Sequence, residues 1–114
     1  MIKLKQLSPS LKEKKRYLVY EIISEDELDK NPSKEIVKKL TSLLGIFDSA
    51  KAGMQSVQYD KKTQRGVLRV AHTELEKLKT TLALVNKIKD QDVLIRTVGV
   101  SGILKKARNK YIAG

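Results

Sequence analysis

The spacing of apolar positions along this chain switches between a period of two and a period near 3.6, and each switch predicts an element. Arg16 to Ser24 (RYLVYEIIS) is aromatic and β-branched, with Leu18, Tyr20 and Ile22 on one face and Tyr17, Val19 and Ile23 on the other. A strand that is apolar on both faces belongs in the middle of a sheet. Asn31-Pro32 supplies a helix cap with proline at the first helical position, and Ile36, Val37, Leu40, Leu43 and Leu44 recur at helical spacing as far as Gly45. Gly53 to Asp60 and Gly66 to Ala71 read as two strands joined by the polar connection Lys61-Lys62-Thr63-Gln64-Arg65. Thr73-Glu74-Leu75-Glu76 has the S/T-x-x-E spacing in which threonine and glutamate satisfy each other's free amides at a helix start. A second helix is expected from there to about Lys89, with Leu75, Leu78, Leu82 and Val85 on one stripe. Val93 to Val98 reads as a fourth strand. After it, Gly99-Val100-Ser101-Gly102 predicts a sharp break, and Ser101 a cap for a last helix over residues 101–112.

The order strand, helix, strand, strand, helix, strand, helix predicts an α+β fold, a ferredoxin-like or RNA-recognition-like βαββαβ sandwich with an additional C-terminal helix. Residues 1–114 make one domain, with no Ser/Gly or Pro linker, repeat or low-complexity tract to divide it. The first two helices are expected to cover one face of the sheet. The other face needs a ligand or a cover, and Ile103, Leu104 and Ala107 are the expected seal if the last helix folds over it.

Charge adds a direction to this picture. The 24 basic and 13 acidic residues leave +11, and the excess is concentrated at the chain ends. Residues 1–16 carry six basic groups against one acidic, +5, and residues 103–114 carry four against none, +4. Localised positive charge points to a polyanion, of which nucleic acid is the commonest in the cytoplasm. With no cysteine, no apolar run near the ~20 residues of a membrane span and no signal-peptide core after Met1, a soluble, cytoplasmic protein is expected.

Little in the sequence suggests catalysis. Gly99-Val-Ser101-Gly-Ile103 lacks the second glycine position of a nucleophile elbow, and His72 is the only histidine. The acidic run Glu25-Asp26-Glu27 with Asp29 lacks the spacing of a calcium loop and reads as a solvated loop. No catalytic residue, metal site or protein-bound cofactor is expected.

The candidate binding groups are basic. Lys12, Lys14, Lys15 and Arg16 precede the first strand, Arg69 and Arg96 lie on strands, and Ser101 stands before Lys105, Lys106, Arg108 and Lys110. Arg65-Gly66 opens like the RNP1 pattern of RNA-recognition motifs, but Val67, Arg69 and His72 fill its aromatic places. RNA contact is therefore expected chiefly at phosphate and sugar. The Gly99–Gly102 segment and the helix amides after it are expected to let a phosphate approach the backbone. The N-terminal arm (1–15) and the C-terminal helix are expected at opposite ends of the central antiparallel pair, as separate contact regions unless the tail folds back.

Three blocks, LSPSLKEKKRYLVYEI, RGVLRVAH and VLIRTVGVSGILKKA, resemble the archaeal and eukaryotic ribonuclease P protein component 2 family over about Leu7 to Ala107. The resemblance implies a noncatalytic subunit of the ribonucleoprotein endonuclease that removes the 5′ leader of precursor tRNA. It implies further that the RNA subunit carries the Mg2+-dependent chemistry, and that the protein partner is ribonuclease P protein component 3. The strand apolar on both faces and the helix with spare apolar positions suggest in addition a homo-oligomeric contact, within a heterotetramer. Lys14, Lys15, Arg16, Arg69, Arg96, Ser101, Lys105 and Lys106 match the family blocks as RNA-facing positions. The alternative left open by the residues alone is a general structured-RNA-binding module of ribosomal or chaperone type.

Overall fold

A computed structural model describes residues 14–28 and 30–112; Lys12 and Asp29 lie outside the described residues. The elements run β1 (Lys15–Ser24), α1 (Ser33–Ala52), β2 (Gln55–Asp60), β3 (Arg65–Ala71), α2 (Leu75–Leu84), β4 (Lys87–Ile88), β5 (Gln91–Ser101) and α3 (Leu104–Ala107), the last continued by a wide helical turn over Arg108–Ile112. They build one antiparallel sheet in the order β2-β3-β1-β5-β4. The doubly apolar β1 sits at its centre, as its alternation requires. No helix among the described residues is long and apolar enough to cross a membrane.

Leu18, Tyr20 and Ile22 of β1 join Leu68 and Val70 of β3 and Ile95 of β5 under Ile36, Leu40, Leu78 and Leu82 of the two long helices. This is the main core, and truncating any one of its fully buried leucines or isoleucines to alanine is a loss of ~2–5 kcal/mol. The opposite face carries a smaller core. Val19, Val67 and Ala107 are buried there, with Tyr17, Val57, Val98, Leu104, Tyr111 and Ile112 packed around them. The C-terminal segment is thus the cover that the second face needed. Its seal differs from expectation in one residue: Ile103 is 52% exposed, and Tyr111 and Ile112 close the layer instead.

Two bulges feed this second core. The β1–β5 register passes from Val19↔Gly99 to Tyr20↔Thr97, leaving Val98 as an extra residue, and the β2–β3 register passes from Ser56↔Leu68 to Gln58↔Val67, leaving Val57. Each extra valine packs beneath the C-terminal segment.

Several boundaries depart from the sequence reading. Helix α1 does not stop at Gly45 but kinks there, at φ 86° and ψ 171°, and runs on to Ala52, capped by left-handed Gly53. Asn31 Oδ1 accepts the N–H of Ser33 at 2.9 Å in a turn just before the helix, and Pro32, expected as the first helical residue, takes the cap position instead, with no side-chain cap bond. Thr73 lies in a single 3-10 turn (His72–Glu74), and no side-chain cap forms at either start, so the capping box is not made. Helix α2 ends at Leu84, because Lys87 and Ile88 pair with Asp92 and Gln91 around a two-residue turn in which Lys89 and Asp90 both take positive φ.

Candidate nucleic-acid interface

In an antiparallel pair the first residue of one strand lies beside the last of its neighbour. Tyr17 at the start of β1 therefore pairs with Ser101 at the end of β5. The expectation that the two basic clusters lie at opposite ends is overturned for the described residues, residues 1–13 of the arm lying outside them: the register brings Lys14, Lys15 and Arg16 to the same end of the sheet as the start of the C-terminal segment. There, Gln55, Arg69, Tyr17 and Ser101 form one row across β2, β3, β1 and β5 on the second face. Leu104 of α3 stands over this row beside Tyr17, and the exposed Lys105 and Lys106 follow it in sequence.

The individual groups are held as follows. Lys14 is exposed, and its carbonyl accepts the backbone N–H of His72 at 2.8 Å, which ties the entry of β1 to the exit of β3. The His72 ring nitrogen Nδ1 lies 3.2 Å from the same carbonyl, so this histidine is placed as part of that tie. Lys15 Nζ approaches Gly53, at the carboxyl end of α1, where a cation is favoured by the free carbonyls. Arg16 donates from Nη1 to the Lys15 carbonyl at 3.0 Å, and the same nitrogen lies 3.7 Å from where a Cβ on Gly102 would stand. The N-terminal cluster and the Gly102 bend are neighbours in space.

Other predicted groups are already engaged. Arg96 Nε donates to Glu21 Oε1 at 2.7 Å, and Arg65 Nε donates to the other oxygen of the same carboxylate at 3.2 Å. The hydrogen bond from Arg96, with help from Arg65, holds the Glu21 carboxyl below the ordinary carboxylate range against the opposing effect of partial burial. This row, Arg65–Glu21–Arg96, lies four residues along β1 from the first, or ~13 Å at strand rise. Arg108 donates from Nε to Gln58 Oε1 at 2.6 Å, and Lys110 Nζ lies 5.5 Å from the centre of the Tyr111 ring. Ser101 Oγ accepts the Ile103 N–H at 3.1 Å, closing a short turn rather than capping a helix.

The glycine-serine segment divides in two. Gly99 continues β5, and the Tyr111 ring fills the place of its missing side chain, so the chain does not break there. The bend comes at Gly102, which is exposed beside Arg16. Arg65, absent from the expected set, is the residue that secures the arrangement: besides bonding Glu21, its Nη1 donates to the Tyr111 carbonyl at 2.8 Å. Nothing in the spacing of the sequence marks it, since its partners lie 44 and 46 residues away.

Lys14, Lys15, Arg16, Arg69, Lys105 and Lys106 thus lie towards one end of the sheet. Basic groups gathered in this way are of the kind that can neutralise phosphates and release their counterions. Among the described residues no group of three or more His, Cys, Asp or Glu could hold a metal ion. A separate feature is apolar: Ile46 and Phe47, 79% and 82% exposed, lie just past the Gly45 kink, with exposed Leu43 before it and exposed Leu84 at the end of α2.

Comparison with known proteins agrees with this fold. The chain is 37% identical over 110 residues to ribonuclease P protein component 2 of Thermococcus gammatolerans, covering 96% of this chain and 92% of that one. It is 35% identical to the protein of the same name from Pyrococcus abyssi, over 98% and 96% of the two chains, and 30% identical to that of Methanosarcina mazei, over 96% and 93%. A chain in the cryo-EM structure of yeast ribonuclease MRP shares the fold, with a TM-score of 0.62 at 10% identity over 79% of this chain and 75% of that one. The model of the Rpp14/Pop5 family matches residues 16–112, from the first strand through the C-terminal turn, and the chain belongs to that family.

Proposed function

We infer that this chain is a protein subunit of ribonuclease P, the endonuclease holoenzyme that releases the 5′ leader of precursor tRNA. The chain itself carries no chemistry. The RNA subunit does, with Mg2+, and the protein holds that RNA in its active form by neutralising phosphates along the basic end. The observation that carries this reading is the β1–β5 register, which gathers the two sequence-distant basic clusters beside one row of the sheet. Membership of the family and relatives named ribonuclease P protein component 2 support it.

The exposed apolar group around Phe47 is suited to protein rather than to RNA, and supports contact with ribonuclease P protein component 3 or a second copy of the chain in a heterotetramer. The cysteine-free composition fits a cytoplasmic ribonucleoprotein.

Reconstitution tests the assignment. Omitting this chain from a mixture of the RNA subunit and the remaining proteins should slow precursor cleavage at fixed Mg2+ and raise the Mg2+ needed for half-maximal rate. Identical cleavage with and without it would rule the reading out.

A further inference from the structure

Beside Tyr17 the second face is not fully covered by the described residues. A depression of about 550 Å3 remains between the sheet and α3, lined by Tyr17, Gln55, Ser56, Val57, Arg69 and Leu104. We propose that this depression seats one unstacked nucleotide of the bound RNA, its base against the Tyr17 ring and Leu104 and its polar edge on Gln55 and Arg69. The inference rests on the RNA-binding function and adds a base-contacting position to it.

Four features carry it. The volume lies within the ~300–1,000 Å3 usual for small-ligand sites. The lining has the chemistry of a base: an aromatic ring and two aliphatic side chains for its faces, and an amide and a guanidinium for its edge, with no carboxylate. Arg69 is short of partners, since Nη1 makes only a 3.3 Å bond to Gln55 Oε1 and Nε is covered with no hydrogen bond among the described residues. A small tilt of the guanidinium would bring it to an acceptor on a base, a gain because a buried unpaired donor is costly. Lastly, Lys15, Arg16, Lys105 and Lys106 belong to the same end of the sheet, where they would meet the phosphates on either side of the nucleotide. The absence of rings on β3 removes a continuous stacking platform. A single pocket needs only the ring that β1 supplies.

Anisotropy titrations of the full chain against two RNA hairpins, one with a single bulged uridine and one fully paired, test this at equal salt. The ratio of the two affinities is the readout, so losses common to both hairpins cancel. The intact chain should favour the bulged hairpin by about tenfold, in line with the stacking of one base, and the ratio should fall towards one in Tyr17→Leu and in Gln55→Ala. A 4-thiouridine at the bulge should crosslink to β1, β2 or α3. Equal affinity of the intact chain for both hairpins, or a ratio unmoved by either substitution, would overturn the proposal while leaving phosphate binding intact. Failure to bind either hairpin at low salt would also overturn this inference, whereas the subunit role stands or falls on the reconstitution.

Discussion

The ring of Tyr111 lies on the bare backbone of Gly99, in the space a side chain there would take. This packing fixes the C-terminal segment over Val19 and Val67, and a methyl group at position 99 cannot enter without moving the ring. Gly99→Ala should therefore cost ~1–3 kcal/mol, the usual effect of overpacking. Urea unfolding measures the loss, and amide exchange should rise first within residues 104–112. Combining Gly99→Ala with Tyr111→Ala should recover part of it, a coupling of ~0.5–3 kcal/mol for residues that touch directly. Strict additivity of the two substitutions would show that the ring and the glycine are independent.

Glu21 gives the fold a defined acid sensitivity. Its carboxyl is held below the ordinary value of 4.5 by the hydrogen bond from Arg96 first and by Arg65 as well. A depressed folded-state pKa means that the stabilisation is present in full above that ordinary value and is lost as pH falls through the folded one. On acidification below about pH 4.5, the wild-type chain should lose stability more steeply than Glu21→Gln, whose side chain does not titrate. Urea midpoints in steps from pH 6 down to pH 3 would expose the difference. Parallel profiles for the two proteins would mean that the Arg65–Glu21–Arg96 row contributes nothing to stability.

The basic end and the ion-paired row should differ in their effect on RNA. Reversing Lys105 and Lys106 to glutamate inverts exposed charge that has no ion-pair partner among the described residues, and should weaken RNA binding across all sequences, with the salt slope falling by about one for each phosphate that is no longer neutralised. Arg96→Ala should do less, because Glu21 already compensates that guanidinium. Binding constants at several salt concentrations check both statements. An Arg96→Ala loss larger than that of the double reversal would place the interface on the wrong row.

Much of this arrangement is legible in the residues. The alternation of Leu18, Tyr20 and Ile22 against Tyr17 and Val19 gives β1 its central place, and the helical recurrence of Ile36 and Leu40, and of Leu78 and Leu82, gives the cover of one face. What is hidden has local physical causes. An extra residue such as Val57 or Val98 leaves no mark on a β-branched run, so the bulges and the register they set are invisible. The turn at Lys89-Asp90 takes positive φ without glycine, and the short hairpin it makes is read as the end of a helix. Gly45 resembles a helix stop because a glycine after an amphipathic run usually marks one, whereas its φ of 86° and ψ of 171° here only kink a helix that continues to Ala52. The site suffers most from register, since only the pairing of Tyr17 with Ser101 tells which end of the sheet each basic cluster occupies.

Gly45 and Phe47 allow the apolar surface to be tested apart from stability. The backbone of Gly45, at φ 86° and ψ 171°, lies in a region open essentially to glycine alone, although nothing stands within 4 Å of where a Cβ would be. Gly45→Ala should cost ~1–3 kcal/mol through strain alone, or straighten the helix and carry Ile46 and Phe47 to a new direction. Phe47, 82% exposed, contributes little to the isolated fold. Phe47→Ser should leave its unfolding free energy within about 0.5 kcal/mol of the wild type. Both substitutions should nevertheless weaken association with protein partners, since both alter the same patch. Sedimentation of the chain alone and with ribonuclease P protein component 3 separates the effects: loss of association by Phe47→Ser at unchanged stability assigns the patch to a protein interface, and unchanged association excludes it.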